Sequence, residues 1–248
     1  MNKAENYNNI VCIVQARIGS TRLPGKVLKK ICGKTVLEHD IDRLKRVKNI
    51  DKIVIATTTL EKDNAIVEEA KKLNITYFRG SEEDVLSRYY YAAKENNADI
   101  IVRVTSDCPL IDSEITARTI DFYLSNDYDY VSNTYVQTFP RGLDTEVFSF
   151  YFLKKAFKET TKKIYREHVT SYFWKNPEKF LIGCYRNQVD YSKYRLTLDT
   201  EQDFKLIKVI YEKLYYKNNN FGLNEIISLL QNNKELVELN GMIKQKKM

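Results

Sequence analysis

With 248 residues, 43% of them hydrophobic and 29% charged, the chain has the composition of an ordinary globular protein and is long enough for a sizeable core. No apolar run approaches the roughly 18 residues that cross a bilayer, and the opening MNKAENYNNI is polar where a signal peptide is apolar, so a cytoplasmic protein without a membrane partner is expected. The formal net charge of +7 is spread over helix faces and the tail 244–248, with no compact basic block alternating with aromatics, which argues against a nucleic-acid partner.

Residues 10–15 form a short β-branched run that ends at a loop holding Gly19, Pro24 and Gly25, the pattern of a buried strand followed by a functional turn. A helix over 35–47, a strand over 52–58 and a helix over 62–73 follow, and the alternation continues with strand 76–79, helix 84–96, strand 100–105, helix 113–125 and strand 128–132. Strands alternating with helices of this length predict an α/β fold: a three-layer, doubly wound, Rossmann-like and mostly parallel sheet. Its ligand crevice lies at the carboxyl ends of the strands, which singles out the loops 16–26, 58–62, 79–83 and 106–111.

After about residue 134 the alternation fails. Pro140 and Gly142 break the segment 135–144, and strands at 146–148 and 181–185 bracket helices near 150–158 and 165–175. A strand over 194–198 and a helix over 201–216 restore the pattern. No linker or repeat intervenes, so a single domain is expected, with a core over 10–134 and 186–216, a substrate-side or dimerisation excursion over 135–185, and a helical tail over 217–248. Four cysteines far apart and only two histidines, His39 and His168, support neither a disulfide framework nor an imidazole metal site.

Residues 15–26 read Q-A-R-I-G-S-T-R-L-P-G-K, which concentrates two arginines, a lysine, two hydroxyls and two glycines in a loop leaving a buried strand. Glycines let backbone N–H groups approach phosphate oxygens, Arg17 and Arg22 can fork onto them, and Lys26 adds a compact charge. The loop is not a Walker A motif, because five residues separate Gly19 from Gly25 and Val27 follows Lys26; G-x-G-x-x-G spacing is also absent. In V-T-S-D-C-P-L-I-D, residues 104–112, a strand ends at Ser106 and places Asp107 at the crevice, while Asp112 suits a helix cap. In R-L-T-L-D-T-E-Q-D, residues 195–203, Asp199 repeats that context and Thr200 is placed to cap the next helix. Two aspartates at two strand ends can share a Mg²⁺ ion, which prefers one or two carboxylates plus substrate phosphates.

These three segments together resemble the cytidylyltransferases that activate acidic sugars, the CMP-sialic acid and CMP-3-deoxy-manno-octulosonate synthetases, and most closely the spore-coat polysaccharide biosynthesis protein F branch. The match runs over about residues 10–215. The resemblance implies a Mg²⁺-dependent transfer from CTP to an acidic sugar, pyrophosphate release and a homodimer. It makes Arg17, Arg22 and Lys26 phosphate ligands, with Gln15, Ala16, Gly19, Ser20 and Ser106 around them, and Asp107 and Asp199 metal ligands; Arg17, Lys26 and Asp107 are the expected catalytic set. It sets the segment 79–88, with Arg79, Gly80, Ser87 and Arg88, against base and ribose. P-R-G-L-D-T-E at 140–146 and R-E-H at 166–168 would bring Arg141 and Arg166 to the sugar side; His168 is read as a satisfied, buried histidine. Two competing readings are a nucleotide-sugar glycosyltransferase using Asp127-Tyr-Asp129 as its metal motif, and a basic nucleic-acid binder without enzymatic activity.

Overall fold

A computed structural model of the chain describes residues 9–243, so the basic tail 244–248 lies outside the described residues. The strands are β1 (Ile10–Gln15), β2 (Lys30–Ile31), β3 (Lys34–Thr35), β4 (Lys52–Thr58), β5 (Thr76–Gly80), β6 (Ile100–Thr105), β7 (Tyr130–Ser132), β8 (Glu146–Ser149) and β9 (Ile182–Cys184). The helices are α1 (Val36–Leu44), α2 (Asn64–Lys72), α3 (Val85–Glu95), α4 (Ser113–Leu124), α5 (Phe150–Glu159), α6 (Lys163–Glu167), α7 (Ser171–Trp174), α8 (Glu201–Leu214), α9 (Leu223–Asn232) and α10 (Lys234–Glu238).

Seven strands form one sheet in the order β5-β4-β1-β6-β8-β7-β9. β1 pairs in parallel with both β4 and β6, which explains its unbroken apolar character, since both faces are covered. Alternate residues of β1 separate the two cores: Cys12 and Val14 pack with Leu37 and Ile41 of α1, whereas Val11 and Ile13 pack with Leu86 and Tyr89 of α3. A third cluster joins Leu196 and Leu198 to Ile207 and Ile210 of α8 and Ile226 and Leu230 of α9. The expected three-layer α/β arrangement is present.

Three local expectations change, and one element with no counterpart among them appears. The segment 146–149 pairs antiparallel with both β6 and β7, so the region read as an excursion supplies β8 and β9 to the central sheet. The strand expected over 194–198 joins no sheet. Its backbone is satisfied by loops instead: Arg141 N–H donates to the Tyr194 carbonyl, Leu196 N–H to the Arg141 carbonyl, and Leu198 N–H to the Asp107 carbonyl at 2.7 Å. The helix expected over 165–175 breaks into α6 and α7 around Val169, whose φ of 39° no continuous helix accommodates. The hairpin β2–β3 carried too few residues to read as strands; its turn has φ of 49° at Cys32 and 85° at Gly33, the doubly positive geometry that joins two-residue hairpins. All four cysteines are free thiols, and no described helix is long and apolar enough to cross a membrane.

Candidate active site

The loop after β1 is closed by its own backbone. The Ile18 carbonyl accepts the N–H groups of Ser20 at 2.8 Å and Gly25 at 3.1 Å, and Gly25 takes a left-handed φ of 67° that starts a short 3₁₀ turn carrying Lys26 inward. The Ile18 N–H is held at 2.7 Å by Asp63, a fully buried carboxylate that also accepts the Thr58 hydroxyl. Asp63 is a support that the sequence pattern alone did not reveal.

Lys26 is the hub. Its ammonium lies 3.0 Å from Asp107 Oδ2, 2.9 Å from Asp199 Oδ1 and 2.7 Å from the Leu198 carbonyl. Burial opposes the charge on Lys26, but Asp107 and Asp199 outweigh it and raise the ammonium pKa above its ordinary value. Asp107 is likewise disfavoured as an anion by burial, yet Lys26 and the Thr105 hydroxyl pull its pKa below the usual carboxylate range. Asp199 Oδ2 takes Arg22 at 2.9 Å and Arg195 at 3.1 Å. Behind it, Asp203 chelates Arg195 at 2.9 and 3.1 Å, accepts the N–H groups of Asp199 and Thr200, and forms a capping box with Thr200. Asn240, beyond α10, donates to both Asp203 Oδ1 and the Arg195 carbonyl. The cap expected at Thr200 is therefore present, as is the one at Asp112, which accepts the N–H groups of Glu114 and Ile115.

Two cavities meet at this hub. One, of about 290 Å³, is lined by Gln15, Arg17, Gly19, Ser20, Arg22, Lys26, Ser106, Asp107 and Asp199, with Ala16 buried beneath it. The other, of about 460 Å³, holds Arg103, Tyr130, Arg141, Asp144, Glu146, His168 and Trp174. Thr105, Asp107 and Asp199 line both. In the second cavity Glu146 is committed to Arg103 and the Tyr130 hydroxyl. His168 lines this cavity half-buried, so the buried histidine expected from the sequence is instead a wall residue.

The other expected residues line neither cavity. Arg79 donates to the carbonyls of Thr58 and Leu60 and to Asn64, bracing the loop after β4. Gly80 packs on Phe78 and Arg88, and Ser87 bonds back to Asp84 at the start of α3. Arg88 is fully buried; it donates to the Ser81 carbonyl, while its Nε and Nη2 have no hydrogen-bond partner among the described residues. Arg166 is a correction to the expected sugar-side set: it pairs with Asp84, donates to the Phe157 carbonyl and lies 4.7 Å from the Phe157 ring. The Asp127–Asp129 pair precedes β7 at the amino end of that strand, opposite the crevice, and Asp129 accepts the Leu181 N–H. Neither aspartate lines either cavity.

The model of the family described as cytidylyltransferase matches residues 11–238. The chain is 41% identical over 240 residues to the Methanocaldococcus jannaschii protein MJ1063, covering 96% of each. It is 32% identical over 235 residues to the spore coat polysaccharide biosynthesis protein SpsF of Bacillus subtilis, covering 92% of this chain and 96% of that one. The solved structure of a cytidylyltransferase from Leptospira borgpetersenii superposes with a TM-score of 0.90 at 38% identity, over 96% of this chain and 99% of that one. A basic, glycine-containing loop at a strand end, two carboxylates behind it and these matches along nearly the whole length agree, and the chain belongs to the cytidylyltransferase family.

Proposed function

We propose that the protein transfers CMP from CTP to an acidic sugar with release of pyrophosphate. The observation that carries this reading is the meeting of the two cavities at Asp107 and Asp199. A triphosphate laid along the loop 15–26 puts its α-phosphorus beside the two aspartates, and an acceptor in the larger cavity reaches the same point from the other side. Catalysis is then chiefly positioning and charge neutralisation. Arg17 and Arg22 draw off the charge that builds on the departing pyrophosphate.

The two carboxylates also suit a divalent cation. Asp107 Oδ2 and Asp199 Oδ1 already converge on one positive group, the Lys26 ammonium, so a cation is what this position attracts. Asp107 and Asp199 would hold Mg²⁺, which supplies charge neutralisation at the α-phosphate when bound. Lys26, relieved of that duty, is free to reach the phosphates. For the acceptor's acidic group, Arg141 is the suitable guanidinium: Arg103 is tied to Glu146, whereas the one hydrogen bond of the Arg141 guanidinium among the described residues is a long one, 3.5 Å to Gln137 Oε1.

The test is pyrophosphate release from each of the four ribonucleoside triphosphates, with N-acetylneuraminate or 3-deoxy-manno-octulosonate as acceptor and with or without Mg²⁺. Release with CTP, Mg²⁺ and an acidic acceptor is expected. Consumption of a nucleotide sugar with no pyrophosphate formed from CTP would favour the glycosyltransferase reading instead.

A further inference from the structure

The larger cavity contains four carboxylates, and three are committed. Asp107 holds Lys26 and Thr105, Asp199 holds Lys26, Arg22 and Arg195, and Glu146 holds Arg103 and Tyr130. Asp144 is the exception. Its Oδ1 accepts the Gly142 N–H at 3.1 Å, and its Oδ2 has no hydrogen-bond partner among the described residues while the side chain lines the cavity.

Its position is fixed by a continuous backbone network. Gly142 has φ of 105°, and a Cβ there would lie 2.4 Å from the Thr197 nitrogen and 2.5 Å from the Leu196 carbonyl carbon, so loop and segment are in backbone contact. Arg141 bonds to Tyr194 and Leu196 on either side of Arg195, and Leu198 N–H donates to the Asp107 carbonyl. Asp107 and Asp199 stand where the cavities join, and Asp144 lines the larger cavity from a loop held in the same backbone frame.

We propose that Asp144 is the catalytic base that takes the proton from the attacking hydroxyl of the acceptor, an inference that rests on the nucleotidyl-transfer reading above. As the hydroxyl oxygen bonds to the α-phosphorus, its proton passes to Asp144 Oδ2. The bond from that phosphorus to the oxygen bridging the β-phosphate breaks, its electron pair leaves with pyrophosphate, and Asp144 later returns the proton to water.

The environment favours this role. Burial pushes the Asp144 carboxyl up to about 6; Arg141 and the Gly142 N–H oppose the rise, and Asp107 and Glu146 reinforce it. Arg103, Cys108, Tyr130, Tyr135, His168 and Asp199 are the other titratable groups on the cavity wall. A carboxylate with this pKa is ionised at pH 7 and still basic enough to accept a proton in a transition state.

The experiment has two arms. In the first, Asp144→Asn is compared with wild type for Mg²⁺–CTP binding by calorimetry and for single-turnover pyrophosphate release, with N-acetylneuraminate or 3-deoxy-manno-octulosonate as acceptor, across pH 5–8. Wild-type turnover is expected to rise with pH through about 6 and level off. The variant should bind Mg²⁺–CTP within about twofold of wild type, lose some 10²–10⁴-fold in kcat and lose that pH limb, with Asp144→Glu recovering part of the rate. The second arm needs no acceptor: ¹³C NMR of the aspartate carboxyls should show one resonance titrating near 6 that is missing from Asp144→Asn. Failure of wild type to bind Mg²⁺–CTP would overturn the parent reading. The base assignment itself is overturned if Asp144 titrates in the ordinary carboxylate range, if Asp144→Asn retains the limb, if His168→Gln removes it, or if Asp144→Asn instead weakens Mg²⁺ binding as a third metal ligand would.

Discussion

Replacing Lys26 with methionine removes the ammonium shared by Asp107 and Asp199 while nearly preserving the length of the apolar stem. The side chains involved are 10%, 27% and 15% exposed for Lys26, Asp107 and Asp199, so the bridge belongs with buried ion pairs rather than surface ones. Breaking such a pair costs about 3–5 kcal/mol. The lower figure applies, because Asp199 keeps Arg22 and Arg195 and Asp107 keeps Thr105. For a chain of this length about 3 kcal/mol corresponds to a fall in Tm of roughly 6–12 °C. Mg²⁺ should then act differently on the two proteins. In the variant it meets two carboxylates relieved of their shared ammonium, and at 100 times its dissociation constant it returns about 2.7 kcal/mol. In wild type it must displace Lys26 first, so its gain is smaller. Thermal melts of both proteins with and without Mg²⁺ give the four numbers required. A variant melting within about 2 °C of wild type in EDTA would refute the estimate. Equal stabilisation of both proteins by Mg²⁺ would refute the placement of the ion between these aspartates.

Three further outcomes follow from other parts of the molecule. Gly142→Ala is expected to cost roughly 2–6 kcal/mol, from the strained φ together with overlap on the backbone of Leu196 and Thr197, read by denaturant unfolding. Arg166→Ala should lower stability by about 1–3 kcal/mol through loss of its bonds to Asp84 and Phe157, yet leave the acceptor KM unchanged, because Arg166 lines neither cavity. Asp40 on α1 is fully buried with neither oxygen partnered among the described residues, and burial, then repulsion from Asp107, raises its pKa well above the ordinary value. The folded state keeps this proton after the unfolded chain has released it, so stability falls as pH rises above the unfolded carboxylate range, by up to about 1.4 kcal/mol per pH unit. Asp40→Asn should therefore melt progressively higher than wild type as pH is raised from 4 to 7.

The α/β alternation up to β7 was readable because the central strands β1 and β6 are buried on both faces and the main helices show one apolar stripe, signals confined to short windows of sequence. The antiparallel insertion of β8 between β6 and β7 was not readable, since a strand of four residues carries no information about its partners. The same limit applies to the site. Arg17, Arg22, Lys26, Asp107 and Asp199 stand at strand ends where the fold class already points. Asp144 and Glu146 are brought to the crevice by a strand of opposite direction, and Asp63 acts from the end of a neighbouring loop. Arg79 and Arg166 show that an arginine near a crevice can also brace carbonyls and carboxylates of its own scaffold, which its place in the sequence does not reveal.

Asn240 gives the hub a temporal dimension. The loop 15–26 leaves β1 early in the sequence, but the Arg195–Asp203 brace behind Asp199 receives hydrogen bonds from Asn240, just past α10. Loop and brace are far apart in sequence, so the brace behind Asp199 is complete only once the segment carrying Asn240 has been made. A partly made chain can therefore build most of the sheet while its reaction centre still lacks this last brace.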